Sequence, residues 1–509
     1  MASAPADLLL DAERLFRKGD YEGARQKFEA AVKSDPKSIE ACAGLARVYL
    51  KQEKVRQAAD TISKAAEFAG DQPIIRTARG EVYFREGKIA EAEREFVSAV
   101  NANPSLARPR LGLARIYRVL SFYGRAKGMI DSAHQLDAED PDIDYFWSST
   151  LPLEEKIKVF EARLAETSDK TPEYREELTK YVDYLKVVEA GHPHSCQLAN
   201  RFASTEIKLE PLLMDATHLR GYGLAVTVNG EKARPMLDTG SSGLLINRRI
   251  AEKAGIKKIY ASKVGGIGGK GSSDSYIGYA DSIKIGNLEF RNCQVEVLEK
   301  RSVAGDDGLI GADVFEGFLV DLDFPNRKLK LTELPQRPKE AAEPASLQAG
   351  GDNSKKPDSA DSGPQDRYIA PEMQSYTRVY RFDHMLLVPT KVNDSVSKLF
   401  LIDTGSLTNN ISPDAAREIT KVRGDPDMSV EGLSGYVKKV YSADKVVLQF
   451  GHLRQRNEDL NSFDLSSVSR SAATEISGTL GFVMLHFLEV KIDYRDGLVD
   501  FHYAAEPGR

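Results

Sequence analysis

Two aspartates carry the side chains best suited to chemistry in this 509-residue sequence. Asp238 and Asp403 each begin an Asp-Thr-Gly-Ser tetrapeptide, and each follows a run of apolar residues. Two carboxyl groups about 3 Å apart cannot both ionise, so they share one proton. The ionised member can take a proton from water while the protonated member donates to a carbonyl oxygen. Such a pair titrates as a unit, so the sequence leaves open which aspartate is the base.

The segments that must position these aspartates occur twice in the same order. Both regions alternate apolar and polar residues, which is typical of strands. The matched segments, first copy and then second, are 228–247 and 392–412, 264–269 and 430–435, and 308–311 and 478–481. This order predicts two copies of one β module, each supplying one carboxylate.

These motifs resemble those of the retropepsin-like and pepsin-like aspartic peptidases. The resemblance implies a mostly-β, pseudo-twofold domain of two barrel-like lobes, with Asp238 and Asp403 as catalytic residues and with no cofactor or metal. It implies support of the catalytic loops by Thr239, Gly240, Ser241, Thr404, Gly405 and Ser406. It also implies substrate-binding flaps made of Gly265, Gly266, Ile267, Gly268, Gly269, Gly432, Leu433, Ser434 and Gly435.

In this family the threonine hydroxyls bond across to the opposite loop, and the serines bond the outer carboxylate oxygens. The flaps close over an extended peptide and pair with its backbone. The resemblance therefore implies an aspartic endopeptidase that acts on a peptide or protein substrate. A catalytically inactive scaffold that kept the peptidase fold and binds peptides is the alternative, because a fold alone does not establish an activity.

Two features depart from the family pattern. Thr479 stands where an apolar residue is usual. The first flap is rich in glycine, whereas the second carries Glu431, Ser434 and Tyr436, which predicts asymmetric subsites. A formal G-x-G-x-x-G match at 266–271 is followed by a strand-like pattern instead of a helix, so no dinucleotide site is predicted.

The N-terminal region repeats with a period of 34 residues. Small and bulky apolar residues recur in three columns: Ala24, Ala58, Ala92 and Ala126; Phe28, Ile62, Phe96 and Ile130; Ala31, Ala65, Ala99 and Ala133. The spacing i, i+4, i+7 places one member of each column on a single helical face, where alanine lets a neighbouring helix approach. The pattern resembles the tetratricopeptide repeat (TPR) family, which implies an all-α superhelix whose concave face binds a protein partner. A purely structural spacer is the alternative.

Changes in composition and pattern divide the chain into five parts. They are a TPR domain of four repeats at 1–142, a helical connector at 143–205, a first peptidase lobe at 206–333, a flexible linker at 334–372 and a second lobe at 373–509. Within the connector, Thr171 and Pro172 predict a helix start and Gly191 predicts its end.

The bulk composition excludes some classes of function. The chain is 41% hydrophobic and 29% charged with a net charge of −6, so no nucleic-acid partner is predicted. No apolar stretch approaches the roughly 18 residues of a membrane span. The opening residues lack the features of a signal peptide, which leaves open a cytoplasmic protein or an exported one whose signal was trimmed.

Cys42, Cys196 and Cys293 are scattered and odd in number, so they predict neither a disulfide framework nor a metal quartet. His192, His194 and Cys196 alternate and could face one side of an extended segment as metal ligands. A fourth ligand is missing nearby, so an ordinary surface turn is the favoured interpretation.

Overall fold

The computed structural model describes residues 5–166, 172–192, 196–200, 203–268, 272–300, 307–337, 366–425, 428–437 and 439–503. The chain forms two compact units. The first comprises residues 1–118, 125–185 and 469–475, and the second comprises residues 119–124, 186–468 and 476–509. The central part of the predicted linker, 338–365, lies outside the described residues, as do Gly269 of the first flap and His194.

The first unit is built from consecutive helices that pack against their neighbours. The helices are α1 (Pro5–Arg17), α2 (Tyr21–Ser34), α3 (Ile39–Lys51), α4 (Val55–Ala69), α5 (Pro73–Arg85), α6 (Ile89–Ala102), α7 (Arg108–Val119), α8 (Tyr123–Leu136), α9 (Pro141–Ser149), α10 (Leu153–Glu166) and α11 (Pro172–Gly191). The predicted all-α repeat region is confirmed, and α11 begins and ends at the residues expected from the sequence.

The columns of the 34-residue repeat form the interior of this unit. Ala58 and Ala92 are fully buried, and Phe96 is only 1% exposed. A Cβ atom placed on Gly80 would lie 2.7 Å from the Phe96 ring, so glycine at that position leaves the space that the ring fills. Burying such a side chain stabilises the fold by about 2–3 kcal/mol. Residues 469–475 belong to the same unit, where the hydroxyl of Thr474 donates to the carbonyl oxygen of Phe84 at 2.6 Å.

The second unit contains the two β copies. The strands of the first copy are β1 (Gln197–Leu198), β2 (Ser204–Lys208), β3 (Glu210–Leu213), β4 (Leu219–Gly223), β5 (Val226–Val228), β6 (Glu231–Ala233), β7 (Met236–Leu237), β8 (Leu244–Asn247), β9 (Tyr260–Gly265), β10 (Ser272–Ile285), β11 (Leu288–Leu298), β12 (Gly308–Ile310), β13 (Phe318–Asp323) and β14 (Lys328–Glu333). Helix α12 (Arg248–Lys253) and a 3₁₀ turn (Ala312–Phe315) interrupt them.

The second copy repeats this arrangement. Its strands are β15 (Thr377–Arg378), β16 (Tyr380–Phe382), β17 (Met385–Val392), β18 (Lys398–Asp403), β19 (Asn410–Ile411), β20 (Val422–Asp425), β21 (Val430–Gly432), β22 (Gly435–Val437), β23 (Val440–Phe450), β24 (Leu453–Phe463), β25 (Gly478–Gly481), β26 (Leu488–Asp493) and β27 (Leu498–Tyr503). Its helices are α13 (Pro413–Arg417), α14 (Ser466–Ala472) and α15 (Phe482–Leu485), and a 3₁₀ turn (Pro371–Met373) precedes β15.

Corresponding strands of the two copies lie in the same order. Neighbouring strands run β7-β12-β8-β11-β10 in the sheet of the first copy and β18-β25-β19-β24-β23 in that of the second. A third sheet, ordered β15-β27-β26-β13-β14-β2, takes strands from both copies. Its central antiparallel pair, β13 and β26, sets Val320 opposite Ile492, and both side chains are fully buried. The predicted mostly-β domain is confirmed.

The carboxyl-terminal end of the predicted linker, residues 366–372, packs against the second copy. Asp366 and Arg367 are buried, and Ala370 forms an apolar cluster with Met373 and Leu498. The end of the predicted linker, from residue 366, is therefore packed on the second copy, and its apolar contacts begin before residue 373.

The cysteines require a correction. Cys196 and Cys293 form a disulfide although 97 residues separate them in the sequence. Strand pairing is the physical reason, because β1 lies antiparallel to β11 with Gln197 opposite Arg291, which brings the two thiols together. The bond also removes Cys196 from the set weighed as metal ligands. His192 instead stacks on the ring of Tyr279, with 3.8 Å between ring centroids.

Candidate active site

Asp238 stands where the chain leaves β7. This strand lies parallel to β12, and the backbone N–H of Asp238 continues the pairing by donating to the carbonyl oxygen of Ile310 at 2.9 Å. The neighbouring apolar side chains Met236 and Leu237 are buried, so the loop that follows has a fixed base. The carboxyl group accepts from the N–H of Gly240 at 2.8 Å and from the hydroxyl of Ser241 at 2.7 Å.

Asp403 has the same place in the second copy. It ends β18, which lies parallel to β25 with Asp403 opposite Gly481. Its Oδ1 atom accepts from the N–H of Gly405 and from the N–H of Ser406, both at 3.0 Å. The hydroxyl of Ser406 donates elsewhere, to the carbonyl oxygen of Thr408 at 3.1 Å. The two loops therefore share a backbone geometry and differ in the bond made by the serine.

The threonines of the two tetrapeptides tie the loops together. The hydroxyl of Thr239 donates to the carbonyl oxygen of Ile402 at 2.8 Å and accepts from the N–H of Thr404 at 3.0 Å. The hydroxyl of Thr404 donates to the carbonyl oxygen of Leu237 at 2.9 Å and accepts from the N–H of Thr239 at 3.0 Å. Both threonines are at least 98% buried, so each bond forms away from competing water.

These cross-bonds bring the two carboxyl groups into contact. Asp238 and Asp403 are 7% and 8% exposed, and their carboxyl groups lie side by side next to Gly240. A Cβ atom placed on Gly240 would lie 2.8 Å from Asp403 Oδ1 and 3.3 Å from Asp238 Oδ1. Any side chain there would enter the space between the carboxyl groups, which explains glycine at this position.

The contact changes the acidity of the second aspartate. Burial raises the pKa of Asp403 well above its ordinary value, and the negative charge of the adjacent Asp238 raises it further. The backbone N–H groups of Ser406 and Gly405 act in the opposite direction but do not outweigh the burial. One proton held between two buried carboxyl groups is the arrangement that acid–base activation of water requires.

The two flap segments meet each other. The first lies between β9 and β10 and includes Gly266, Ile267 and Gly268, and the second is the β21–β22 turn with Leu433 and Ser434. The N–H of Ser434 donates to the carbonyl oxygen of Ile267 at 3.2 Å, and its hydroxyl donates to that of Gly266 at 3.1 Å. Gly265 ends β9, while Gly432 and Gly435 flank the second turn.

Sequence reasoning missed a third, half-buried carboxyl group next to the first loop. Asp313 accepts from the hydroxyl of Ser242 at 2.9 Å and from the N–H of Gly243 at 3.0 Å. Burial raises the pKa of Asp313 despite these bonds. The available signal was its place two residues after Gly311, just beyond a matched segment, where the second copy has Val483.

No group of three or more His, Cys, Asp and Glu side chains among the described residues is arranged to hold a metal ion. In the same part of the chain, no helix combines the length and apolar character needed to cross a membrane.

Comparisons with known proteins match part of the helical region and part of the first β copy. The aspartyl protease family model matches residues 224–314, and a tetratricopeptide repeat model matches residues 15–82. The chain is 28% identical over 127 residues to DNA damage-inducible protein 1 of Neurospora crassa, covering 25% of this chain and 28% of that protein. It is 27% identical over 108 residues to the UBA domain-containing protein Mud1 of Schizosaccharomyces pombe, covering 21% of this chain and 31% of that protein.

Other similarities are of the same limited extent. The chain is 32% identical over 93 residues to DnaJ homolog subfamily C member 3 of Bos taurus, covering 18% of each protein. A crystal structure of a thermophilic TPR protein from Thermus thermophilus aligns at 21% identity and a TM-score of 0.28, covering 36% of this chain and all of that one. The chain thus spans less than a third of the length of each of these three curated relatives. At the level of domains, it contains a tetratricopeptide repeat region and a retropepsin-like aspartyl protease domain.

Proposed function

We propose that this chain is an aspartic endopeptidase that hydrolyses peptide bonds with water activated by Asp238 and Asp403. One observation carries the proposal: two buried carboxyl groups, one from each copy, lie side by side next to Gly240, between loops tied by reciprocal threonine bonds. A structural ion pair would put a cation beside a buried carboxylate. Here a second carboxyl group takes that place, and such a pair is stable only with a shared proton.

In each step of the reaction the pair accepts one proton and donates one. The ionised carboxylate takes a proton from water as the water oxygen attacks the carbonyl carbon of the peptide bond. The protonated carboxyl group donates its proton to the carbonyl oxygen, so a neutral diol forms and no free oxyanion develops. When the diol collapses, the carboxyl group that was protonated in the first step gives its proton to the amide nitrogen, and the other carboxylate takes a proton from a diol hydroxyl. The carbon–nitrogen bond breaks, and the pair returns to its starting state.

The flap residues would hold the substrate. Backbone groups of Gly266 and Ile267 on one side and of Ser434 on the other lie at the meeting point of the two flaps. An extended peptide would exchange these flap–flap bonds for bonds to its own backbone, as in recognition by strand addition. The substrate class is therefore an extended or locally unfolded polypeptide.

The TPR region would select protein substrates or partners for the peptidase domain. Its support is the repeat-family match at residues 15–82, since such repeats present an extended binding surface. A chain lacking residues 1–142 should cleave short peptides and lose selectivity among proteins. Loss of short-peptide cleavage by a truncated chain that remains folded would contradict this division of roles.

The dyad is tested by digesting a peptide library from acidic to neutral pH and identifying the products by mass spectrometry. Asp238→Asn and Asp403→Asn should each remove essentially all cleavage, because either change abolishes the shared proton. Asp394→Asn makes the same chemical change at an exposed residue and serves as the matched control. The folded state of each variant is checked by circular dichroism.

The competing function is that of an inactive scaffold that binds peptides. A wild-type protein that binds library peptides at every pH but cuts none would establish the scaffold. Full cleavage by either single dyad variant would show that the hydrolysis does not come from this pair.

A further inference from the structure

The equivalent serines Ser241 and Ser406 make different hydrogen bonds. The hydroxyl of Ser241 donates to Asp238 Oδ2 at 2.7 Å. The hydroxyl of Ser406 donates to the carbonyl oxygen of Thr408 at 3.1 Å and makes no bond to Asp403 among the described contacts. Both serines follow the same Asp-Thr-Gly sequence, so the tetrapeptide itself does not cause the difference.

The cause lies in two residues of the neighbouring strands. In the first copy Leu245 and Leu309 are paired across β8 and β12, and both belong to an apolar cluster. In the second copy the paired residues at the corresponding places are Asn410 and Thr479, across β19 and β25. A matched pair of apolar residues is thus replaced by a matched pair of polar ones.

This polar pair holds Ser406. The amide nitrogen Nδ2 of Asn410 donates to the hydroxyl of Thr479 at 2.5 Å and to that of Ser406 at 3.3 Å. The hydroxyl of Thr479 also lies 3.4 Å from that of Ser406. Asn410 and Thr479 are each 1% exposed, so no water competes for these groups.

The Asn410–Thr479 pair lowers the stability of the fold if its role is only structural. The Oδ1 atom of Asn410 is buried, and no residue in the described part of the chain hydrogen-bonds to it. A buried acceptor without a partner destabilises a fold, whereas two leucines fill the same places in the first copy without that cost. A role in the reaction accounts for the polar pair.

The consequence is a difference between the two carboxyl groups. Donors bind both oxygens of Asp238, so a proton on either oxygen would disturb a bond. Both backbone donors to Asp403 share its Oδ1 atom, and no hydroxyl in the described part of the chain donates to Oδ2. A proton on Oδ2 therefore costs no hydrogen bond.

Asp313 lies beside the loop of Asp238, where it accepts from Ser242 and Gly243. The negative charge of Asp238 acts on Tyr494, a buried tyrosine whose pKa burial raises, and Asp313, Arg381 and Glu316 act on the same tyrosine. The negative charge of Asp238 acts on Asp403.

We propose that Asn410 and Thr479 are positioning residues that hold the Ser406 hydroxyl away from Asp403 and so keep the shared proton on Asp403. Asp403 is then the general acid that protonates the carbonyl oxygen, and Asp238 is the base that takes the proton from water. This inference rests on the proposed peptidase function.

The test transplants the first copy's pair into the second. In the full-length variant Asn410→Leu, Thr479→Leu, the Ser406 hydroxyl is free to turn to Asp403 Oδ2 and stabilise the carboxylate. The alkaline limb of the pH profile of kcat/KM, which follows loss of the shared proton, should move to lower pH by about one unit. Adding Ser406→Ala to this variant should move the limb back. A purely structural role predicts a lower rate with an unmoved limb.

Two further measurements keep the test decisive. The single change Thr479→Val preserves shape and should shift the limb in the same direction if the double variant does not fold. Carboxyl carbon NMR titration of protein labelled at its aspartates follows the pKa of Asp403 and does not require cleavage of a substrate. If the protein cleaves nothing, the peptidase function is refuted, but the titration still shows whether Asn410 and Thr479 affect the protonation of Asp403. An unmoved Asp403 titration in the folded variants, or a shift that persists after Ser406→Ala, would overturn the inference.

Discussion

The two copies of the β module agree in the backbone of their active-site loops and differ in what surrounds them. Asp238 and Asp403 both accept an N–H bond from the glycine two residues later, and their threonines exchange equivalent bonds. The strands next to the loops supply leucine pairs in the first copy and the Asn410–Thr479 pair in the second. The loop backbone is thus constrained by contact between the copies, whereas the strands behind each loop are free to change its electrostatics.

A second difference lies in the sheet that both copies share. Asp323 ends β13 and Asp493 ends β26, and the two occupy equivalent places. Burial acts to raise the pKa of Asp323, but bonds from Lys330 and Asn326 outweigh it and the pKa is lowered. Burial raises the pKa of Asp493 to about 6, and the charge of Asp496 adds to this effect. Position in the fold does not fix acidity, because neighbouring side chains decide it.

The largest expected effect tests the part that the copies share. Gly240→Ala and Gly405→Ala should each lower kcat/KM by about two orders of magnitude or more, because a methyl group would displace the opposing carboxyl group. The control is Gly317→Ala, where a Cβ atom would meet nothing within 4 Å. Steady-state kinetics with a peptide substrate measures the effect. Normal activity in one of the two variants would show that the loops are not equivalent.

The next effect concerns the threonine bonds. Thr239→Val and Thr404→Val should each destabilise the protein by about 2–3 kcal/mol, because each leaves a buried N–H and a buried carbonyl oxygen unpaired. The two losses should be equal, since the two sets of bonds are equivalent. Urea unfolding measures them, with Thr227→Val on β5 as a control expected to be nearly neutral. Unequal losses would show that one copy contributes more to the contact.

The smallest expected effect concerns the equivalent aspartates Asp323 and Asp493, whose contributions to stability should differ between the two copies. The raised pKa of Asp493 means that the folded state binds its proton more tightly than the unfolded state does. Its ionisation therefore destabilises the fold above about pH 6, and the penalty disappears below about pH 4. Asp493→Asn should stabilise the protein at pH 7 by on the order of 2 kcal/mol and change little at pH 4.

Asp323→Asn should act in the opposite direction. The lowered pKa of Asp323 contributes stability above its unfolded value that is lost as the pH falls through its folded value, so the variant should be less stable at pH 7. Urea unfolding at both pH values checks the pair. Asp321, whose pKa burial and the charge of Glu489 raise to about 6, titrates in the same range and remains as a common background in both variants. The same sign of change in both variants at pH 7 would contradict the comparison.

Much of this molecule was predictable from local patterns. The 34-residue columns predicted the packed face of the repeats because helical periodicity is a local property, and the column residues Ala92, Phe96 and Ala99 are buried on α6. Two Asp-Thr-Gly-Ser segments in matched frames predicted that Asp238 and Asp403 meet, since one module repeated in order repeats its geometry. The expected threonine cross-bonds are also present in the structure.

The sequence by itself determined the β modules, the repeats and the pairing of two aspartates, because each depends on residue types at short, regular spacing. Tertiary structure alone decided the partner of Ser406, since Thr479 lies 73 residues away and reaches it only through the pairing of β19 with β25. It likewise decided the disulfide of Cys196 with Cys293, because an antiparallel strand pair, and not sequence spacing, sets the distance between the thiols. Hydrogen bonds and thiol contacts act over about 3–4 Å, so only the folded chain determines which distant side chains come within their range.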